Sequence, residues 1–172
     1  MPKKKSTTPV KQSADRATRY AIDVVEKRII AGTHVIDSCK RHLRDLEKSG
    51  DDWNYYYDQN EALEAMAFFE EILCLNGGQF EGKPFLLFPW QTFVISSIFG
   101  WKRKSDNMRR FRVVYCEQGK GNGKSPMAAG IGLKGLVADN EPRSEIYSAA
   151  CFRDQAMVLF RDACAFLIRV WN

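Results

Sequence analysis

The sequence predicts an α/β fold, with an N-terminal helical segment followed by the start of a parallel sheet. Three observations predict it. Apolar residues recur at helical spacing from residue 13 to about residue 75. Two short runs rich in β-branched and aromatic residues, 111–116 and 146–150, have the composition of buried strands. About 28 residues separate those runs, and they hold a glycine-rich turn and a helix, ample for the crossover that a parallel pair requires.

Residues 1–12 are polar, basic and punctuated by proline, and read as a disordered arm. Its Lys3-Lys4-Lys5 run is more simply solvated than bound to phosphate. From Ser13, a candidate N-cap, Ala17, Ala21, Val24 and Ile29 keep helical spacing until Gly32 breaks the run and Thr33 is placed to cap the next helix. There Ile36, Cys39, Leu43 and Leu46 form an apolar stripe up to Ser49-Gly50, with His34 and His42 flanking it and expected in solvent. Trp53 and the Tyr55-Tyr56-Tyr57 run read as a loop. A third helix spans about 59–75, with Ala62, Met66, Phe69 and Leu73 on one face. Its Glu61, Glu64, Glu70 and Glu71 are expected in solvent, and Asn76-Gly77-Gly78 stops it. Pro89, at a first helical position, opens a helix carrying Trp90, Phe93, Val94, Ile98 and Trp101. Residues 102–110 read as a basic loop. The first strand, the turn, a helix to about Ala138 and the second strand follow. The last helix has the clearest period, with Ala156, Leu159, Ala163, Phe166 and Val170.

Composition narrows the function classes. The chain has 172 residues, the size of about one domain. Apolar residues make up 45%, enough for a core, which excludes a wholly disordered chain. The net charge of +5 hides a pattern: residues 1–50 carry 12 basic and 6 acidic side chains, 51–82 carry none and 8, and 83–172 carry 14 and 7. An acidic block between two basic ones indicates distinct faces rather than a uniform nucleic-acid coat. Five cysteines with no close pair fit buried thiols in a reducing compartment. Two histidines leave little for a histidine-based triad or metal site. No apolar run reaches the ~18–20 residues needed to span a bilayer, and no apolar core follows the first charges as in a signal peptide. The expectation is an intracellular protein with no membrane partner.

The turn Gln118-Gly119-Lys120-Gly121-Asn122-Gly123-Lys124-Ser125 carries the chemistry. Against the pattern G-x-x-x-x-G-K-[ST], Gly123, Lys124 and Ser125 are in place, whereas Gln118 stands at the first glycine, with Gly119 and Gly121 nearby. Glycines let backbone N–H groups curl round an oxyanion without Cβ clashes, and the following helix aims its N-terminal N–H groups at the phosphates. In such a P-loop, Lys124 reaches the β- and γ-phosphates and Ser125 offers its hydroxyl to Mg²⁺. Pro126 suits a first helical turn, where its missing N–H has no partner to lose. Lys120 is a second cation, for the γ-phosphate or for solvent. Hydrolysis also needs a carboxylate at the end of a neighbouring strand. The acids after Ser125 (Asp139, Glu141, Glu145, Asp154 and Asp162) do not follow an apolar run of four, and Glu117 is most simply a turn residue. The residues imply phosphate binding without a complete catalytic set.

The ordered series Phe88-Pro89-Trp90-Gln91, Phe99-Gly100-Trp101-Lys102, Gly121-Asn122-Gly123-Lys124-Ser125 and Ile146-Tyr147-Ser148-Ala149-Ala150 through Gln155-Ala156 resembles the large terminase subunit of tailed bacteriophages, an ATP-driven motor that packages DNA into empty capsids. The resemblance implies a P-loop NTPase sheet and the segments 1–12 (arm), 13–78 (N-terminal helices) and 79–172 (incomplete P-loop ATPase domain). It implies that Gln91 contacts adenine, that Trp90 packs by the base, that Lys120 is the catalytic basic residue of the loop, and that ATP and Mg²⁺ are the cofactors, with Ser125 at the metal. It also implies double-stranded viral DNA, a small terminase subunit and a portal or procapsid as partners, a homo-oligomeric ring in the full-length protein, and the host bacterial cytoplasm as location. The family continues with an acidic Mg²⁺ motif, a coupling motif and a nuclease domain. The chain therefore reads as cut short, turning over ATP poorly and cutting no DNA. Two other readings stay open: a non-catalytic docking module built on residues 13–75, and a helicase-type ATPase. For DNA, the basic residues Lys102, Arg103, Lys104, Arg109, Arg110 and Arg112 could meet phosphates, though an exposed basic loop is the commoner case.

Overall fold

The computed structural model describes residues 15–48, 52–139 and 142–170, the side chains of 168–170 excepted. The expected arm at 1–12, the Ser13 cap and the Ser49-Gly50 stop lie outside the described residues. Helix α1 (Arg16–Val25) is capped by Asp15, whose carboxylate accepts from the amides of Ala17 and Thr18. Helix α2 (Thr33–Leu46) starts one residue earlier than a Thr33 cap would place it. Gly32 is the N-cap, and no side chain bonds there. Helix α3 (Gln59–Ala67), capped by Asp58, runs into a π-helical turn at Phe68–Ile72. The chain is already extended at Leu73, so the helix ends before the glycines expected to stop it. Gly77 and Gly78, both at positive φ, instead bend the loop that returns Phe85 to the core.

Helix α4 (Pro89–Gly100) is the central element. Buried Phe93 joins the smaller core with Ala17, Tyr20, Ala21 and Val24 of α1 and Cys39 of α2. Ile95, Ile98 and Phe99 join the larger core with Met66, Phe69, Leu73, Phe85, Met127, Leu133 and Phe166. A Cβ on Gly100 would lie 2.6 Å from the Tyr57 ring, which fixes how closely α4 approaches the strand beside it. That strand, β1 (Tyr55–Tyr57), pairs antiparallel with β2 (Trp101–Arg103) in a two-stranded sheet. Both were expected outside strands, Tyr55–Tyr57 in a loop and Trp101 at a helix end. Three-residue strands are too short to show a period, and the aromatic run found its partner through the fold.

His42 is buried, at 2% exposure, contrary to the solvent position expected. Its ring lies edge-on to Tyr57, Phe93 and Trp101. The acids of the third helix are also partly committed: Glu61 pairs with Lys102, and Glu70 takes a bidentate bond from Arg16 while accepting from the Leu87 amide. The basic loop is partly committed as well, since Arg103 pairs with Asp106, Arg109 with Asp139 and Arg110 with buried Asp45.

The parallel sheet is where expectation and structure part most clearly. Residues 111–119 and 144–150 belong to no helix, and among the described residues they form no ladder. Alternation survives along the first segment. Cys116 packs against the larger core and Val114 faces the groove between α4 and the next helix, whereas Val113 and Tyr115 are 89% and 85% exposed. A strand is buried on both faces only when neighbours cover both, and here helices cover one side alone. Helix α5 (Lys124–Val137) follows the glycine-rich turn, and α6 (Arg153–Val170) packs beside it. Ile146 of the second segment rests on α5, where a Cβ on Gly132 would come within 3.3 Å of it.

Candidate phosphate-binding loop

The loop emerges from the irregular segment at residues 117–119 and turns at 120–121. Gly121 has φ +86° and Gly123 φ +72°, the left-handed region that glycine enters without a Cβ clash. Gly123 is the N-cap of α5, so Lys124 and Ser125 are its first residues and Pro126 sits in its first turn. The backbone is therefore folded back on itself at the positive end of a helix. The first N–H groups of an α-helix have no partner within it, and an anion there gains both hydrogen bonds and the helix dipole.

The side chains fall into two groups. The Lys124 ammonium donates to the Gln118 carbonyl, closing the loop across its mouth, and Ser125 is half-buried beside it. Lys120 and Asn122 are exposed, and a Cβ on Gly119 would approach the Asn122 amide at 3.2 Å. Glu117, just before the loop, accepts from the Tyr115 hydroxyl at 3.1 Å, and this bond with the nearby carboxylate raises the Tyr115 pKa.

The first turn of α4 meets the loop from behind. Gln91 is 1% exposed, its side-chain oxygen accepts from the Phe88 amide at 2.9 Å, and its amide nitrogen would stand 3.3 Å from a Cβ on Gly123. Trp90, half-buried, packs against both apolar cores. The structure thus brings Gln91 to the loop and leaves the Trp90 ring engaged with the cores. The contact between Gln91 and Gly123 went unread in the sequence. Its one signal was a glutamine three positions after the residue preceding Pro89, where it can cap its own helix.

Beside the loop, α4, α5, the basic loop after β2 and the segment 111–116 line a groove of about 780 Å³ that runs from Lys124 to Asp139. For a metal the donors are few. Ser125 offers one hydroxyl, and among the described residues no group of three His, Cys, Asp or Glu could hold an ion. Mg²⁺ takes six oxygens, usually with phosphates among them, so these side chains do not make a metal site by themselves.

Residues 89–169 match the family described as "Terminase large subunit, ATPase domain". No curated protein and no solved structure matches the chain. The match begins at the first residue of α4 and takes in the glycine-rich loop, α5 and nearly all of α6.

Proposed function

Because residues 89–169 match the terminase large subunit ATPase domain family, we propose that the chain binds ATP through the loop 118–125 as part of a DNA-packaging motor. The observation that carries this is the backbone of Gly121 and Gly123, both at positive φ, delivering the chain into the N-terminus of α5. In this reading the loop amides and the first N–H groups of α5 take the triphosphate. Lys124 exchanges the Gln118 carbonyl for phosphate oxygens, a neutral acceptor for a charged one. Ser125 would offer its hydroxyl to a Mg²⁺ that arrives with the nucleotide, whose charge would offset that of the phosphates. Lys120, exposed at the tip, would reach a terminal phosphate from outside the loop. In the assembled motor, viral DNA, a small terminase subunit and a portal are the partners.

The docking reading draws less support. The feature that favours it is the acidic segment 51–82, and two of its eight acids, Glu61 and Glu70, are tied to Lys102 and Arg16 within the protein.

The test is a titration of a fluorescent ATP analogue into the wild type and Lys124→Ala, with and without Mg²⁺. Saturable binding is expected in the wild type. Losing the charge-assisted bonds of one lysine, worth about 1.5–3 kcal/mol, should weaken it by roughly ten- to a hundredfold in the variant. Equal binding by both proteins, or none by either, would remove the phosphate site from the account.

A further inference from the structure

Gln91 stands where a glutamine that reads adenine is expected, yet its surroundings fit another task. We infer that Gln91 is a positioning residue, which sets the backbone of the phosphate loop through Gly123 and leaves the base unread; this rests on the loop binding a nucleotide, as proposed above.

The argument starts from the two ends of one amide. The Phe88 N–H is a donor, so the group facing it must be the Gln91 oxygen, and the 2.9 Å bond fixes which way the amide points. The nitrogen is thereby turned to Gly123, 3.3 Å from where a Cβ would stand. Glutamine pairs with adenine by presenting oxygen and nitrogen side by side to the base edge. Here the oxygen is committed to the helix cap, and with 1% of the residue exposed no base edge can approach without displacing it.

The same geometry makes Gln91 a strut. Its own helix turn is stiff. Pro89 fixes φ at the first position, the Thr92 amide bonds to the Phe88 carbonyl at 3.0 Å, and the Thr92 hydroxyl to the Pro89 carbonyl at 2.6 Å. Half-buried Trp90 anchors this turn against both apolar cores. At the other end is Gly123, held at φ +72° where the chain enters α5 and immediately before Lys124. A rigid turn pressed against the one residue that aims Lys124 and the first helix amides restricts the loop to the conformation that cups an anion. Truncating the strut lets the loop wander, and apparent affinity falls with the fraction of loops still competent, whatever base the triphosphate carries.

The experiment uses the full chain, with calorimetric titration of ATP, GTP and inorganic tripolyphosphate in Mg²⁺ buffer and a thermal melt of each variant. Gln91→Ala is expected to weaken all three ligands by one common factor, roughly tenfold if about a tenth of the loops remain competent. Gln91→Met, which restores length and bulk against Gly123 without an amide, is expected to recover most of that loss for all three. The inference is overturned if Gln91→Ala loses ATP while keeping tripolyphosphate, if Gln91→Met binds as poorly as Gln91→Ala, or if Gln91→Ala melts lower but binds as the wild type does. Should Gln91→Ala not fold, Gln91→Met decides alone: unchanged ratios among the three ligands uphold the strut, and a selective loss of ATP overturns it. A wild type that binds none of the three would overturn the phosphate site, and this inference with it.

Discussion

His42 shows how much one buried side chain can hold. The Trp101 indole can only donate, so the 3.0 Å bond to His42 Nδ1 makes that nitrogen an acceptor and puts the proton on Nε2. Nε2 faces the Thr18 hydroxyl at 3.1 Å, and that hydroxyl donates to Asp15, the cap of α1, at 2.7 Å. One neutral imidazole thus joins β2, α2 and the cap of α1. Burial pushes its pKa down to about 4, against the pull of Asp15 and Asp45 and with some help from Arg41. The folded-state value lies below the unfolded one, so the unfolded chain binds more protons between about pH 6.5 and pH 4. Stability is therefore whole above pH 6.5 and is lost as pH falls through that window, by on the order of 3 kcal/mol. Melting temperatures recorded from pH 7.5 to pH 4.5 should fall in the wild type and flatten in His42→Gln, whose amide can still accept from Trp101 and donate to Thr18. A wild-type curve level across the window would contradict the buried neutral ring. The sequence hid this residue, because a histidine beside an apolar stripe looks the same whether the neighbouring surface is water or three aromatic rings supplied by distant segments.

Among the elements, the fit of α5 against the π-helical turn is the tightest. A Cβ on Gly130 would collide with Phe69 Cε1 and lie 2.8 Å from its Cζ and 3.0 Å from Leu73 Cδ1. Phe69 is fully buried and has Phe68 and Phe85 edge-on to it, so it has no room to withdraw. Although alanine is the better helix former, Gly130→Ala should therefore destabilise the protein, by about 1–3 kcal/mol, as overpacking does. A urea melt with a midpoint at or above the wild type's would show that the core gives way. The helices themselves were legible where spacing alone decides, as with Ala156, Leu159, Ala163 and Phe166 of α6. The π-turn was not, since its glutamates and phenylalanines continue the α-helical pattern and only packing with α5 and Phe85 sets where the spiral widens.

Across the whole molecule, the loop was readable because its chemistry lies in consecutive residues: glycines at 121 and 123 for the turn, and Lys124 and Ser125 for the helix mouth. The sheet around it was not readable to the same degree. Residues 111–116 do alternate, but a strand exists only with a neighbour, and none of the described residues supplies one. The ties that do cross the molecule are polar and unsuspected, above all Asp45 of α2, 1% exposed and bonded to Arg110 at 2.8 Å. The bare backbone of 112–117 has a kinetic consequence. Its amide protons should trade for deuterium at nearly the speed of a free peptide, while those in the middle turns of α5, only a few residues downstream, are retained far longer. Mass spectrometry of labelled peptides would register that contrast within one short sequence, and slow uptake at 112–117 would mean that something already shields it. The loop between the two regimes is joined to a loose lead on one side and a firm one on the other, so any event that stiffens the lead is felt first at Gly119.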